Sequence, residues 1–245
     1  MPEERNQNQI IRIDARNCFV ESLSDSFGFG KAHFTFASYD LSKPSGQRQT
    51  NSIQIYIDIA ELLELCRKLV GGELRYMMQG RKKAGDPTPL FQHLGGTSAE
   101  KLARYGRPRA DGKSLSRTAQ LVCGSKTDFL FVADSGPGET NEKGLIVPRF
   151  GKNPENHVSV SMTFESFSAL MLMTKTHYAA WLTAFYMTGR QRPASPSSLR
   201  EEAADTQGSD SSEAEVAIHG YACHAVRKGN FCTGVPFSTK KEGAK

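Results

Sequence analysis

Thirteen basic residues fall between Arg67 and Lys126 against four acidic ones, a local balance of +9 in a chain whose formal net charge is only +5. They are Arg67, Lys68, Arg75, Arg81, Lys82, Lys83, Lys101, Arg104, Arg107, Arg109, Lys113, Arg117 and Lys126, with Tyr76, Phe91 and Tyr105 between them. Cations neutralise phosphates and release their counterions, while unpaired bases stack on aromatic rings, so this mixture suits a single-stranded nucleic acid. Glycines at 80, 85, 95, 96, 106 and 112 make the stretch read as a mobile, solvated link. The plainer alternative is a loop whose charge only keeps the protein in solution.

Enzyme chemistry finds no footing. Gly106 to Ser114 reads GRPRADGKS, but a phosphate-binding loop needs four residues between its glycines and here there are five. Gly28-Phe29-Gly30 lies within a strand-like run, not at the strand-to-helix turn of a dinucleotide fingerprint. The six histidines show no spacing with Cys, Asp or Glu that sets up a dyad or a metal site, and His219, Cys223, His224 and Cys232 lack the paired short knuckles of a zinc site. No catalytic residue, metal or cofactor is therefore assigned.

The elements that must position the basic residues show a unit that occurs twice: an alternating strand running directly into a capped, one-faced helix. Ile53, Ile55 and Ile57 share a face, Asp58 stands at the N-cap, and Leu62, Leu65, Cys66, Leu69 and Val70 follow at helical spacing. Val158, Val160 and Met162, the cap Thr163, and the stripe Phe167, Leu170, Met171, Tyr178, Trp181, Leu182 and Phe185 repeat the layout 105 positions later. Further strands are expected at 11–20 and 27–39 before the first unit, and at 116–123, 128–134 and 145–150 before the second, with Gly136-Pro137-Gly138 as a turn. The expected fold is α+β, a duplicated antiparallel meander plus helix.

Length and composition fit one such domain over 1–189, with 38% hydrophobic residues and 14 Phe to fill a core. From 190 to 245 the chain turns first acidic and then basic, poor in large apolar residues, and is expected to be a disordered tail able to compete with phosphates for the basic surface. No apolar run is long enough to span a bilayer, and the amino terminus has no signal-peptide pattern. Five scattered cysteines do not form a disulfide framework, so a reducing compartment is expected, cytoplasmic or nucleoid-associated.

Three stretches resemble the Whirly family of single-stranded DNA-binding proteins, related in fold to a transcriptional coactivator and to mitochondrial guide-RNA-binding proteins. NSIQIYIDIAELLELCRKLVGGELRYMMQ (51–79) is similar to the family's first strand-helix-strand passage, and RTAQLVCGSKTDFLFVAD (117–134) to the strands opening its second repeat. HVSVSMTFESFSALMLMTKTHYAAWL (157–182) is similar to its closing strand and long helix, and the likeness spans Asn17 to Gly189. The family's lysine-rich strand motif corresponds to FGFGKAHF (27–34), where Gly30, Lys31 and Ala32 match and Phe29 replaces the first lysine. The resemblance implies two sheets like blades, helices forming a homo-oligomeric core such as a tetramer, and a strand of DNA over the sheet edges, with no catalysis.

On this reading the nucleic-acid-binding residues are Phe29, Lys31, Arg75, Tyr76, Arg81, Lys82, Lys83, Arg117, Lys126, Phe129, Phe131 and Arg149. Phe29, Phe129 and Phe131 would stack bases while the cations meet the backbone, unless their strand parity turns them into the core. A surplus of apolar surface on the second helix suits packing between subunits. The expected partner is single-stranded DNA, with RNA on the same fold or a protein-interaction domain as alternatives, and no membrane.

Overall fold

The computed structural model describes residues 7–44 and 46–188. The tail expected from 190 onward, with its acidic run and its Cys and His residues, lies outside the described residues.

The first half is a meander of β1 (Gln9–Asp14), β2 (Cys18–Leu23), β3 (Lys31–Tyr39) and β4 (Gln49–Asp58), followed by α1 (Ile59–Val70) and α2 (Glu73–Ala84). The second is β5 (Phe91–Thr97), α3 (Ala99–Arg104), β6 (Ser114–Cys123), β7 (Phe129–Thr140), β8 (Ile146–Pro148), β9 (Asn156–Met162) and α4 (Phe164–Met187). Its sheet runs β5-β6-β7-β8, with β9 also paired to β7. Among the described residues the molecule is thus α+β, with antiparallel sheets of four and five strands and four α-helices.

Register explains the core. β3 sets Ala32, Phe34 and Phe36 opposite Ile57, Ile55 and Ile53. β7 sets Phe129, Phe131 and Ala133 opposite Met162, Val160 and Val158. All twelve side chains are buried, because alternate residues of a strand share one face and both faces turn inward. The halves meet through equivalent places: the Phe34 and Phe131 rings lie edge to face at 6.2 Å, and Cys66 Sγ donates to the Met171 carbonyl at 3.5 Å. Contacts between equivalents arise where two units face each other across an approximate two-fold axis.

Several expectations are corrected. The run 11–20 is a hairpin, β1 and β2, closed by the Ala15 amide donating to the Cys18 carbonyl at 2.8 Å. The run 27–39 opens with a 3-10 turn at Phe27–Phe29 before β3 begins. Gly136-Pro137-Gly138 is no turn but part of β7, where a Cβ on Gly138 would stand 2.8 Å from the Ser116 Cβ, so glycine there lets strands approach. The basic stretch is not a mobile link, since α2, β5, α3 and most of β6 are built from it. Asp58 stands at the N-cap of α1 without capping: register puts Lys31 opposite it, and the carboxylate accepts from Lys31 Nζ at 2.6 Å. Thr163 does cap α4, its Oγ1 accepting from the Ser166 amide at 3.1 Å.

Cys66 on α1 is buried as its spacing predicted, and burial pushes its thiol up to about 11. Only the thiolate attacks alkylating reagents, and at pH 8 about one Cys66 thiol in a thousand is ionised. Iodoacetamide at pH 8 is therefore expected to label Cys66 in the native protein far more slowly than after denaturation, as read by peptide mass mapping. Equal rates in the two states would contradict this burial.

Candidate nucleic-acid interface

α2 forms a basic ridge. Leu74 and Met78, four residues apart, are its buried anchors; Tyr76, Gln79, Gly80 and Lys83 face away from them into solvent, and Arg75 and Lys82 are exposed along its flank. Tyr76 is 79% exposed and borders a shallow groove of about 490 Å³ with Gln79, Gly80 and Lys83. The Arg75 guanidinium rests over the Phe164 ring at 4.0 Å, which fixes its direction without neutralising it. Lys82 Nζ donates to the Thr127 carbonyl at 2.9 Å and stands 3.7 Å from Asp128 Oδ1, tying the helix to the β6–β7 turn. That turn carries the exposed Lys126. Among the described residues no carboxylate lies within ion-pair distance of Arg75, Lys83 or Lys126.

Arg81 lines the same groove, but its guanidinium is engaged by the fold. Its Nη1 donates to the carbonyls of Thr88 and Pro89, and its Nε lies 3.9 Å from Asp86. The side chain closes the loop after α2 and serves the fold, which corrects its reading as part of a solvated link.

A second basic feature lies where the sheets diverge. Lys31 and Tyr56 from the first sheet and His93, Thr97 and Arg117 from the second line a cleft of about 610 Å³, with Lys101 of α3 also on its wall. The Tyr56 ring stacks on His33 at 4.4 Å and remains 41% exposed. His33 is held in turn by Asp25 and by Gln54. Lys31 is paired with Asp58, and His93 Nδ1 meets Glu61 Oε2 at 2.6 Å. Arg117 Nη1 donates to Thr97 Oγ1 at 3.1 Å, and burial draws the guanidinium below its ordinary value. Gly96, at φ 155, lines the same cleft, and a Cβ there would meet the Leu115 carbonyl oxygen at 2.2 Å.

The structure therefore divides the predicted residues. Tyr76 and Lys83 border the ridge groove, Arg75 and Lys82 lie on the flank of the same helix, and Lys126 is on the turn that Lys82 meets; Lys31 and Arg117 converge in the cleft. Phe29 is 55% exposed and Arg149 is exposed and paired with Glu139 at 2.6 Å, but neither lines the ridge groove or the cleft. Phe129 and Phe131 are corrected: both are fully buried, packed on Phe167, and offer no ring to a base. Sequence reasoning missed Tyr56 and Lys101; the signal for Tyr56 was its place on the polar parity of an otherwise isoleucine-lined strand.

Among the described residues no group of three or more His, Cys, Asp or Glu side chains is placed to hold a metal ion, and no helix is long and apolar enough to cross a membrane. No protein-family model, curated protein or solved structure matches the chain.

Proposed function

We propose that the protein binds single-stranded DNA with little sequence preference, without catalysis, as a homo-oligomer acting in replication, recombination, transfer or transcription. The observation that carries this is α2: Tyr76, 79% exposed, shares a groove with Lys83, while Arg75 and Lys82 lie on the flank of the same helix and Lys126 on the turn that Lys82 meets. An aromatic ring held out in water offers a stacking surface to any base, worth about 1–3 kcal/mol each, and the cations beside it meet the phosphates. A duplex hides its bases, so the ring counts only for a single strand.

The Whirly resemblance supports the same reading, with Tyr76 taking the stacking role first expected of strand phenylalanines. Oligomerisation is supported by α4. Its buried residues, Phe167, Leu170, Met171 and Thr174, all lie in its first half, while Tyr186 and Met187 are exposed and Trp181, Leu182 and Phe185 only half covered. The surface between subunits belongs to that second half. Met171 is buried within its own protomer, so a charge placed there attacks the fold and not the assembly.

The test is a salt titration of the full chain against labelled oligo(dT), its RNA counterpart and a duplex of equal length. Tighter binding to the DNA single strand is expected, with log affinity falling about 0.7 per phosphate contacted for each unit of log salt. Light scattering of the same samples is expected to give a mass above 26.9 kDa. Equal affinity for duplex and single strand would sink the reading, and tighter binding to RNA would replace the DNA preference.

A further inference from the structure

We infer that the cleft between the two sheets is a separate binding site for one nucleoside phosphate, with the phosphate on Arg117 and the base against Tyr56. This goes beyond the ridge and does not use its residues.

Among the described residues three arginines are withdrawn from solvent: Arg81, Arg109 and Arg117. Arg81 serves two carbonyls and faces Asp86, and Arg109 is clasped by Asp111 and Glu155 at 3.0 and 2.6 Å. Arg117 has a single hydroxyl, that of Thr97, and no carboxylate within ion-pair distance. A guanidinium has five N–H donors in a planar fork that matches an oxyanion two bonds at a time. Withdrawing such a cation from water is costly unless an anion joins it, and the anion here must enter through the cleft.

The rest of the lining says which anion. Of the two acids lining the cleft, Asp58 is engaged by Lys31 at 2.6 Å and Glu100 stands beside Lys101 on α3, while the lining His93 is held by Glu61 at 2.6 Å. Tyr56 is preset by its stack on His33, so its ring need not be ordered when a planar group arrives. Leu145 of the β7–β8 connection and Ile146 of β8 supply apolar lining. Gly95 and Gly96 keep β5 free of side chains there, and Gly96 has no room for one. A cavity of about 610 Å³ is within the range that encloses a small molecule with a ring and a charged group. A bare phosphate would leave Tyr56 and the apolar lining unused, and a nucleoside would leave Arg117 unmatched. A nucleoside phosphate uses both.

Calorimetry of the full chain with dAMP, adenosine and inorganic phosphate tests this. Expected are saturable binding of dAMP and at least tenfold weaker binding of the other two. Arg117→Met is expected to lower dAMP affinity at least tenfold without lowering the melting temperature of the free protein, because a poorly compensated cation has been removed. Tyr56→Ala is expected to weaken dAMP while leaving inorganic phosphate unchanged. A variant lacking the ridge, Tyr76→Ala with Lys82, Lys83 and Lys126 each changed to Gln, is expected to bind dAMP as the wild type does. Absence of dAMP binding, retention of full affinity in Arg117→Met, or equal affinity for inorganic phosphate would each overturn the inference, whatever the strand titration gives. Displacement of dAMP by a 5′-phosphorylated oligonucleotide but not by its 5′-hydroxyl form would support the site and identify a strand end as its occupant. Displacement by neither would support it as a site for the free nucleotide.

Discussion

Phe131→Ala is expected to destabilise the protein by about 3–5 kcal/mol. The ring is 0% exposed and touches Phe34 at 6.2 Å, Phe36 at 4.8 Å and Phe167 at 5.6 Å, so it packs both sheets and the long helix at one point. Truncation removes the apolar area and leaves a void that three neighbouring rings can only partly fill. A domain of ordinary stability has about 5–15 kcal/mol in all, so the loss brings the variant close to unfolding at ambient temperature. Urea denaturation followed by circular dichroism measures it. An unchanged midpoint together with weakened strand binding would mean that the ring faces solvent and stacks a base after all, and would reverse the correction made above.

The largest effect on binding is expected from the ridge. Changing Tyr76 to Ala and Lys82, Lys83 and Lys126 to Gln removes one stacking ring and three cations. The ring alone is worth about 1–3 kcal/mol, and losing three phosphate contacts flattens the salt slope by about 2. Together these predict a loss of affinity for oligo(dT) of about a hundredfold or more at low salt, shrinking as salt rises. The fold is expected to hold, because Leu74 and Met78 still anchor α2 and Arg81 still serves the carbonyls beyond it. Arg81→Ala belongs outside this set: it is expected to lower the melting temperature, which a purely phosphate-binding arginine would not do. Undiminished oligo(dT) affinity in the folded ridge variant would leave the basic stretch as a solubilising surface.

The strand-to-helix units were readable because both of their periods are strong. Ile53, Ile55 and Ile57 alternate without a break, and Leu62, Leu65, Cys66 and Leu69 then step at three and four. Alternation separates the two faces of a strand but does not say which is covered, and that is why Phe129 and Phe131 stayed open as stacking residues until sheet met sheet. The ridge was readable in composition and not in structure: α2 has only two buried positions, Leu74 and Met78, too few to stand out as a stripe amid four basic residues. Gly136 and Gly138 carry the usual marks of a turn, yet what they meet, Phe150 and Ser116, comes from elsewhere in the chain. The cleft was beyond reach for the same reason, since Tyr56 and Arg117 belong to different sheets and neither segment alone places them side by side.

The meeting of Phe34 with Phe131 and of Cys66 with Met171 bears on how the molecule comes apart. Each half has its inner face closed by the other, and one continuous set of buried side chains runs through both. Opening either half exposes the apolar face of its neighbour, so partial unfolding carries the cost of two surfaces. The sheets consequently share one cooperative transition, in which a substitution at the seam lowers the stability of both halves at once.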